Sequence, residues 1–120
     1  MSAEEPVVLV DAENARRSLW PNLTEEELVE RCTDWAERER VTAVVVFDRG
    51  APAGGGERCR VVEAAAGESA DDWIAREAGL LEMAGCRFWI VTSDRELRAR
   101  VGAGVERVIG GGSFARELVR

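Results

Sequence analysis

The chain has no histidine and no lysine; all sixteen of its basic residues are arginine. Without histidine, no Ser-His or Cys-His nucleophile and no imidazole acid–base pair can be built. Without lysine, a Walker A phosphate loop, a Schiff-base enzyme and a response-regulator receiver are excluded. Whatever chemistry the protein performs must run on carboxylates, hydroxyls, amides, guanidinium groups or a bound metal. Cysteine is sparse as well: Cys32, Cys59 and Cys86 are odd in number, widely spaced and free of any C-x-x-C pair. That pattern fits neither a zinc site nor a disulfide framework and predicts small core residues. No apolar run approaches the length of a membrane span. Met1 to Glu5 lacks the basic start and apolar stretch of a signal peptide, so the expected compartment is the cytoplasm.

Acidic residues are plentiful, with a formal net charge of −7. This argues against a nonspecific DNA coater, which needs a basic surface. A cluster of site carboxylates accounts for part of such an excess, and bound divalent cations would offset some of it. At 120 residues the chain is long enough for one domain with one core.

Val7-Val8-Leu9-Val10 is an unbroken apolar run, which reads as a strand buried on both faces of a parallel sheet. It ends in Asp11-Ala12-Glu13-Asn14. Two further runs end the same way: Val41–Phe47 in Asp48, and Phe88–Val91 in Thr92-Ser93-Asp94. For any one of these aspartates a helix-capping role is an adequate account. Three together, at the strand ends where open α/β sheets place their chemistry, point to a site.

Between the strands lie a short helix or turn over residues 15–20, stopped by Pro21, and a helix from Thr24 to about Arg40. Thr24 and Glu27 form a capping box, and Leu28, Cys32, Trp35 and Ala36 share one face. Residues 49–58, with Gly54-Gly55-Gly56, read as a surface loop without phosphate-fingerprint spacing. Cys59–Glu63 reads as a short, possible edge strand. Glu68-Ser69-Ala70-Asp71-Asp72 opens a helix to about Ala84. Ser93 to Glu96 is a second capping box, opening a helix to about Val101. A weaker strand over 105–109 and a terminal helix from Ser113 to Val119 complete the chain. The order β-α-α-β-β-α-β-α-β-α predicts a three-layer α/β sandwich with a mainly parallel central sheet, Rossmann-like in class.

Helix phase separates the adjacent acids. With Ser69 as N-cap, the buried stripe of the 69–84 helix runs through Ala70, Ile74, Ala78 and Leu81. Asp71 lies ~60° from Ile74, facing the sheet edge; Asp72 lies ~160° away, in solvent. Asp72 is then placed to complete a capping box and to pair with Arg76 four residues on.

Several carboxylates within a few ångströms repel one another unless a cation is present. Hard oxygen ligands with waters suit Mg²⁺ or Mn²⁺. A metal so held activates water for attack on a phosphodiester. Arg16, Arg17, Arg49, Arg58, Arg95 and Arg98 fall near the same edge and suit phosphates; ordinary solvated pairing with glutamate is the other reading of each. The four tryptophans read chiefly as core, with Trp20 the candidate for base stacking.

These motifs, in this order, resemble those of the YacP-like NYN domains, within the PIN-like nuclease group. Val10–Asn14 is similar to their Val-Asp-Gly-Tyr-Asn, Val45–Asp48 to their second motif, Glu68–Asp71 to their Glu-Thr-Ala-Asp, Val91–Asp94 to their Ala-Thr-Ser-Asp, and Ala115–Leu118 to the Ala-Arg-Glu-Leu of their last helix. Ala12-Glu13 stands where that family has Gly-Tyr, and Phe114 where it has Ser. The resemblance implies a metal-dependent endoribonuclease acting on RNA, some members working on ribosome-associated RNA. It implies Asp11, Asn14, Asp48, Glu68, Asp71 and Asp94 as the site. In this reading Asp11, Asp48, Asp71 and Asp94 are catalytic, and Asp11, Glu68, Asp71 and Asp94 hold the metal. Asn14, Ser93, Arg16, Arg49 and Arg95 contact substrate. The expected products carry 5′-phosphate and 3′-hydroxyl ends. An RNA- or ribosome-binding module with a degenerate site is the alternative; a nucleotide-binding flavodoxin-like protein has no phosphate fingerprint to support it.

Overall fold

The computed structural model describes residues 5–120. The polar stretch over residues 1–5 predicts a frayed start; all of it but Glu5 lies outside the described residues, and Glu5 is held by Arg58 in an ion pair of 2.6 Å.

Ten elements follow the expected order. They are β1 (Val7–Asp11), α1 (Ala12–Arg16), α2 (Glu25–Glu39), β2 (Thr42–Phe47), β3 (Cys59–Glu63), α3 (Ala70–Met83), β4 (Phe88–Val91), α4 (Arg95–Arg100), β5 (Arg107–Ile109) and α5 (Gly111–Leu118). The strands form one five-stranded sheet in the order β3-β2-β1-β4-β5, and every pairing is parallel. β1 is central. The chain winds from β1 through β2 to β3 on one side, then returns to add β4 and β5 on the other. The topological switch point therefore lies between β1 and β4, where open parallel sheets leave a crevice at their carboxyl ends.

The three inner strands, β2, β1 and β4, bury both faces, and the alternation of side chains divides the core in two. Val8, Val10, Ala43, Val45 and Phe47 point to α1, α2 and α5, and join Leu28, Cys32, Trp35 and Phe114. Leu9, Val44 and Val46 point the other way, to α3 and α4, and join Ile74, Ala78, Ile90 and Leu97. This is the period-2 geometry of a strand covered on both sides. α2 presents Leu28, Cys32, Trp35 and Ala36 inward from a complete Thr24–Glu27 capping box. Trp35 and Phe114 meet edge to face with ring centroids 4.9 Å apart.

Several local expectations are corrected. α1 begins at Ala12, directly after Asp11, and ends at Arg16. β5 is shorter than residues 105–109. α5 begins at Gly111, not Ser113. There, a Cβ would stand 2.7 Å from Ser18 Oγ and against Asn14 Oδ1. The missing side chain is what lets the start of α5 close on α1. Cys32 and Cys59 are buried, but Cys86 is exposed; all three are free. Trp35 is core, Trp73 and Trp89 are half-buried beneath Arg60 and Arg107, and Trp20 is 89 % exposed. Among the described residues no helix is long and apolar enough to cross a membrane.

Candidate active site

Asp11 is the last residue of the central strand and is 7 % exposed. It occupies the N-cap position of α1 yet makes no side-chain capping hydrogen bond. Asp11 Oδ2 instead accepts from Thr92 Oγ1 at 2.8 Å, beyond the end of the neighbouring β4. Thr92 is fully buried, and its hydroxyl in turn accepts from the Asp94 N–H at 3.1 Å. One hydroxyl thereby ties the ends of β1 and β4 across the switch point.

On the other side of β1, Asp48 follows β2. Its Oδ1 accepts from the Ala70 N–H at 2.7 Å, one of the unpaired donors at the start of α3. That bond docks the first turn of α3 on the sheet edge and brings Asp71 with it. Asp94 caps α4, its Oδ1 accepting from Glu96 N and Leu97 N at 2.8 and 3.4 Å. Ser93 is therefore not the cap expected there. Its N–H donates to Asn14 Oδ1 (3.0 Å) and its hydroxyl accepts from Gly111 N (2.9 Å). Asn14 and Ser93 together clasp α1, the β4–α4 turn and α5.

The electrostatics of the group follow. The carboxyl of Asp11 is raised to about 6, chiefly by burial, with Asp71 and Asp48 adding like charge; the Thr92 hydrogen bond and the Asn14 N–H oppose the rise. Asp71 is raised too, by burial and then by Asp94 and Asp48, with Arg100 working against them. Asp71 thus feels the charges of Asp94 and Asp48, and Asp11 those of Asp71 and Asp48.

Glu68 does not join them. Its carboxylate is taken by Arg76 of α3 and held below the usual range by that pairing. Asp72 completes the Ser69 capping box and pairs with Arg100 at 3.0 Å. The expected Asp72–Arg76 pair is accordingly not formed. Phase had separated the two aspartates as the structure does: Asp71 is turned to the cluster, Asp72 to the helix end.

The arginines divide. Arg16 pairs with Glu13 (3.1 Å) and Glu25 (3.4 Å) and donates to Leu23 O (3.2 Å). Arg17 also pairs with Glu13, at 3.1 Å. Arg49 donates to the backbone carbonyls of Asp48, Ala64 and Glu68, stapling loops together. Arg95, at the start of α4, is exposed and forms no ion pair among the described residues. Two clefts open on this edge. One, of about 370 Å³, is lined by Asp11, Glu13, Asn14, Arg17 and Ser18. The other, of about 390 Å³, is lined by Glu13, Arg16, Arg17, Glu25, Asp48 and Arg49.

Among the described residues no three His, Cys, Asp or Glu side chains are already arranged around a common point as metal ligands. The donor chemistry nevertheless suits a hard, largely hydrated cation. After their hydrogen bonds within the protein, Asp11 Oδ1, Asp48 Oδ2, Asp94 Oδ2 and both oxygens of Asp71 remain available among the described residues. Mg²⁺ keeps several waters and takes one or two carboxylates.

No family model and no curated protein matches the chain. Solved structures do. Rae1 (YacP) from Bacillus subtilis superposes with a TM-score of 0.72 at 23% identity, over 94% of this chain and 73% of that one. A tryptophan-to-leucine variant of the same protein gives 0.75 at 23% identity, over 95% and 75%. The chain has a YacP-like fold. At that identity the likeness speaks for architecture, the parallel sheet and its switch point.

Two residues of the YacP-like edge carry more than their sequence suggested. Thr92 holds Asp11 and Asp94 in register, and Glu13 bridges two arginines between the clefts. For Thr92 the available signal was a hydroxyl directly after an apolar strand run, next to Asp94. For Glu13 the available signal was its spacing of three and four residues from Arg16 and Arg17, which are neighbours on a helix surface.

Proposed function

We propose that the protein is a divalent-metal-dependent endoribonuclease, hydrolysing RNA phosphodiester bonds at the carboxyl edge of its sheet. The observation that supports this reading best is the gathering of Asp11, Asp48 and Asp94 around Asp71, with Asp11 buried and its carboxyl raised chiefly by that burial. A buried carboxylate beside like charges is costly unless something compensates it. Asp11, Asp71 and Asp94 would hold Mg²⁺ or Mn²⁺. When bound, such an ion supplies an activated water and offsets charge developing on the phosphoryl oxygens.

The chain's own residues then have distinct tasks. Thr92 orients the Asp11 carboxylate and leaves its second oxygen facing the cleft. Asp48 fixes the start of α3, and so fixes where Asp71 stands. Asn14 spends its Oδ1 on Ser93, keeping its amide N–H groups for substrate. Arg49 and Arg95 line the approach for a phosphate backbone. Glu68, engaged with Arg76, is not part of this set. RNA as the substrate, ribosome-associated RNA included, rests on the motif resemblance.

The test is cleavage of labelled single-stranded RNA with Mn²⁺ or Mg²⁺, with and without chelator, by wild type and Asp11→Asn. Cleavage should need the ion and be lost in the variant. Cleavage that persists in chelator or in Asp11→Asn overturns the reading. RNA binding without cleavage under any of these conditions would make the protein a binding module with a degenerate site.

A further inference from the structure

The two clefts beside the acidic group share one wall, Glu13 with Arg17. Glu13 Oε2 sits 3.1 Å from Arg16 Nε, and its Oε1 sits 3.1 Å from Arg17 Nε. One carboxylate is thus gripped by two guanidinium groups at the boundary between the cleft holding Asp11 and the cleft holding Asp48. The grip is asymmetric. Arg16 is 16% exposed and is also held by Glu25 and the Leu23 carbonyl; Arg17 is 64% exposed, with Glu13 as its only ion-pair partner among the described residues. A phosphodiester presents the same charge as a carboxylate on two oxygens, and paired arginines suit both.

We propose that Glu13 occupies a phosphate subsite of the protein's own RNA-binding groove, competing with the RNA backbone for Arg17 and so setting how tightly RNA is held. The inference rests on the ribonuclease reading for its ligand. A strand running from one cleft to the other must pass Glu13, and it gains Arg17 only when that carboxylate lets go. Arg16 keeps Glu25 in either state, so Arg17 carries the exchange.

The experiment is fluorescence anisotropy of a short fluorescein-labelled single-stranded RNA, in chelator, across a salt series. Glu13→Ala should bind about tenfold tighter than wild type, the worth of one charge-assisted contact regained. Its log Kd against log salt should steepen by about 0.7, one further phosphate neutralised on a single strand. Glu13→Gln should move the same way, which covers the case in which Glu13→Ala disturbs the short helix. Glu30→Ala removes the same formal charge from the exposed face of α2 and should change little. Arg17→Ala should erase the gain in the Glu13→Ala background. If both Glu13 variants bind no tighter than Glu30→Ala while wild type still binds or cuts RNA, this inference falls and the ribonuclease reading stands. A gain that survives Arg17→Ala also overturns it. If no variant binds RNA, both fall together.

Discussion

Asp71 and Asp72 are neighbours in sequence and differ in everything their side chains meet. Asp71 is half-buried among like charges, whereas Asp72 caps α3 and pairs with Arg100. Asp71→Asn should therefore lower the single-turnover rate by roughly a hundredfold or more, if the carboxylate helps to hold the ion. Asp72→Asn should keep most of that rate and slightly lower the urea midpoint. The reverse result, a dead Asp72→Asn beside an active Asp71→Asn, would remove α3 from the site. Thr92 gives a second contrast. Thr92→Val keeps the shape of a fully buried side chain but strips Asp11 of its donor and the Asp94 N–H of its acceptor. Leaving buried polar groups unpaired costs about 1–3 kcal/mol. Urea unfolding should show a loss of that size, and unchanged stability would mean that water or another group replaces the hydroxyl.

At the level of elements, the first turns of α3, α4 and α5 decide where the functional groups stand. α3 is pinned by Asp48, α4 is capped by Asp94, and α5 starts at a glycine hydrogen-bonded to Ser93. Gly111 faces Asn14 and Ser18 with no room for a Cβ. Gly111→Ala should push α5 off α1 and cost about 1–3 kcal/mol, the usual range for overpacking. Because Asn14 and Ser93 are tied to the same corner, the variant should also lower cleavage activity. A Gly111→Ala protein as stable and as active as wild type would show that the corner has slack. The capping boxes at Thr24 and Ser69 were readable from four-residue spacings, because both partners lie on one turn. The box expected at Ser93 was not formed, because Asn14 and Gly111 recruit that residue from 79 and 18 positions away.

For the whole molecule, the acidic edge makes stability depend on pH and on cations. Asp11 stands at about 6 in the folded chain against 3.8 for the free side chain. Between these values the folded state holds a proton that the unfolded state has released. Asp11's contribution to stability is therefore full below pH ~4, declines as pH rises, and is gone above pH ~6. The decline amounts to about 3 kcal/mol. In chelator, Asp11→Asn should flatten this part of the urea-midpoint profile and be the more stable protein at pH 8. Mn²⁺ should stabilise wild type at pH 8 and do so much less in Asp11→Asn, since a ligand of the folded state adds stability as RT ln(1 + [L]/Kd). Equal pH profiles for the two proteins would contradict the buried, crowded setting assigned to Asp11.

Much of this architecture was set by local sequence. Runs such as Val7–Val10 and Val41–Phe47 can be covered on both faces only inside a parallel sheet. Helical phase alone turned Asp71 towards the edge and Asp72 away. The aspartates that end three strands were bound to share one edge once the strands ran parallel. What the tertiary structure alone decided were partnerships between residues far apart in the chain: Asp11 with Thr92, Asn14 with Ser93, and Asp72 with Arg100. The reason is geometric. Strand and helix periods are properties of the backbone and repeat every few residues, so a pattern reveals them. Which of several nearby charges a side chain meets depends on register and on the docking of separate elements, and no short spacing encodes that.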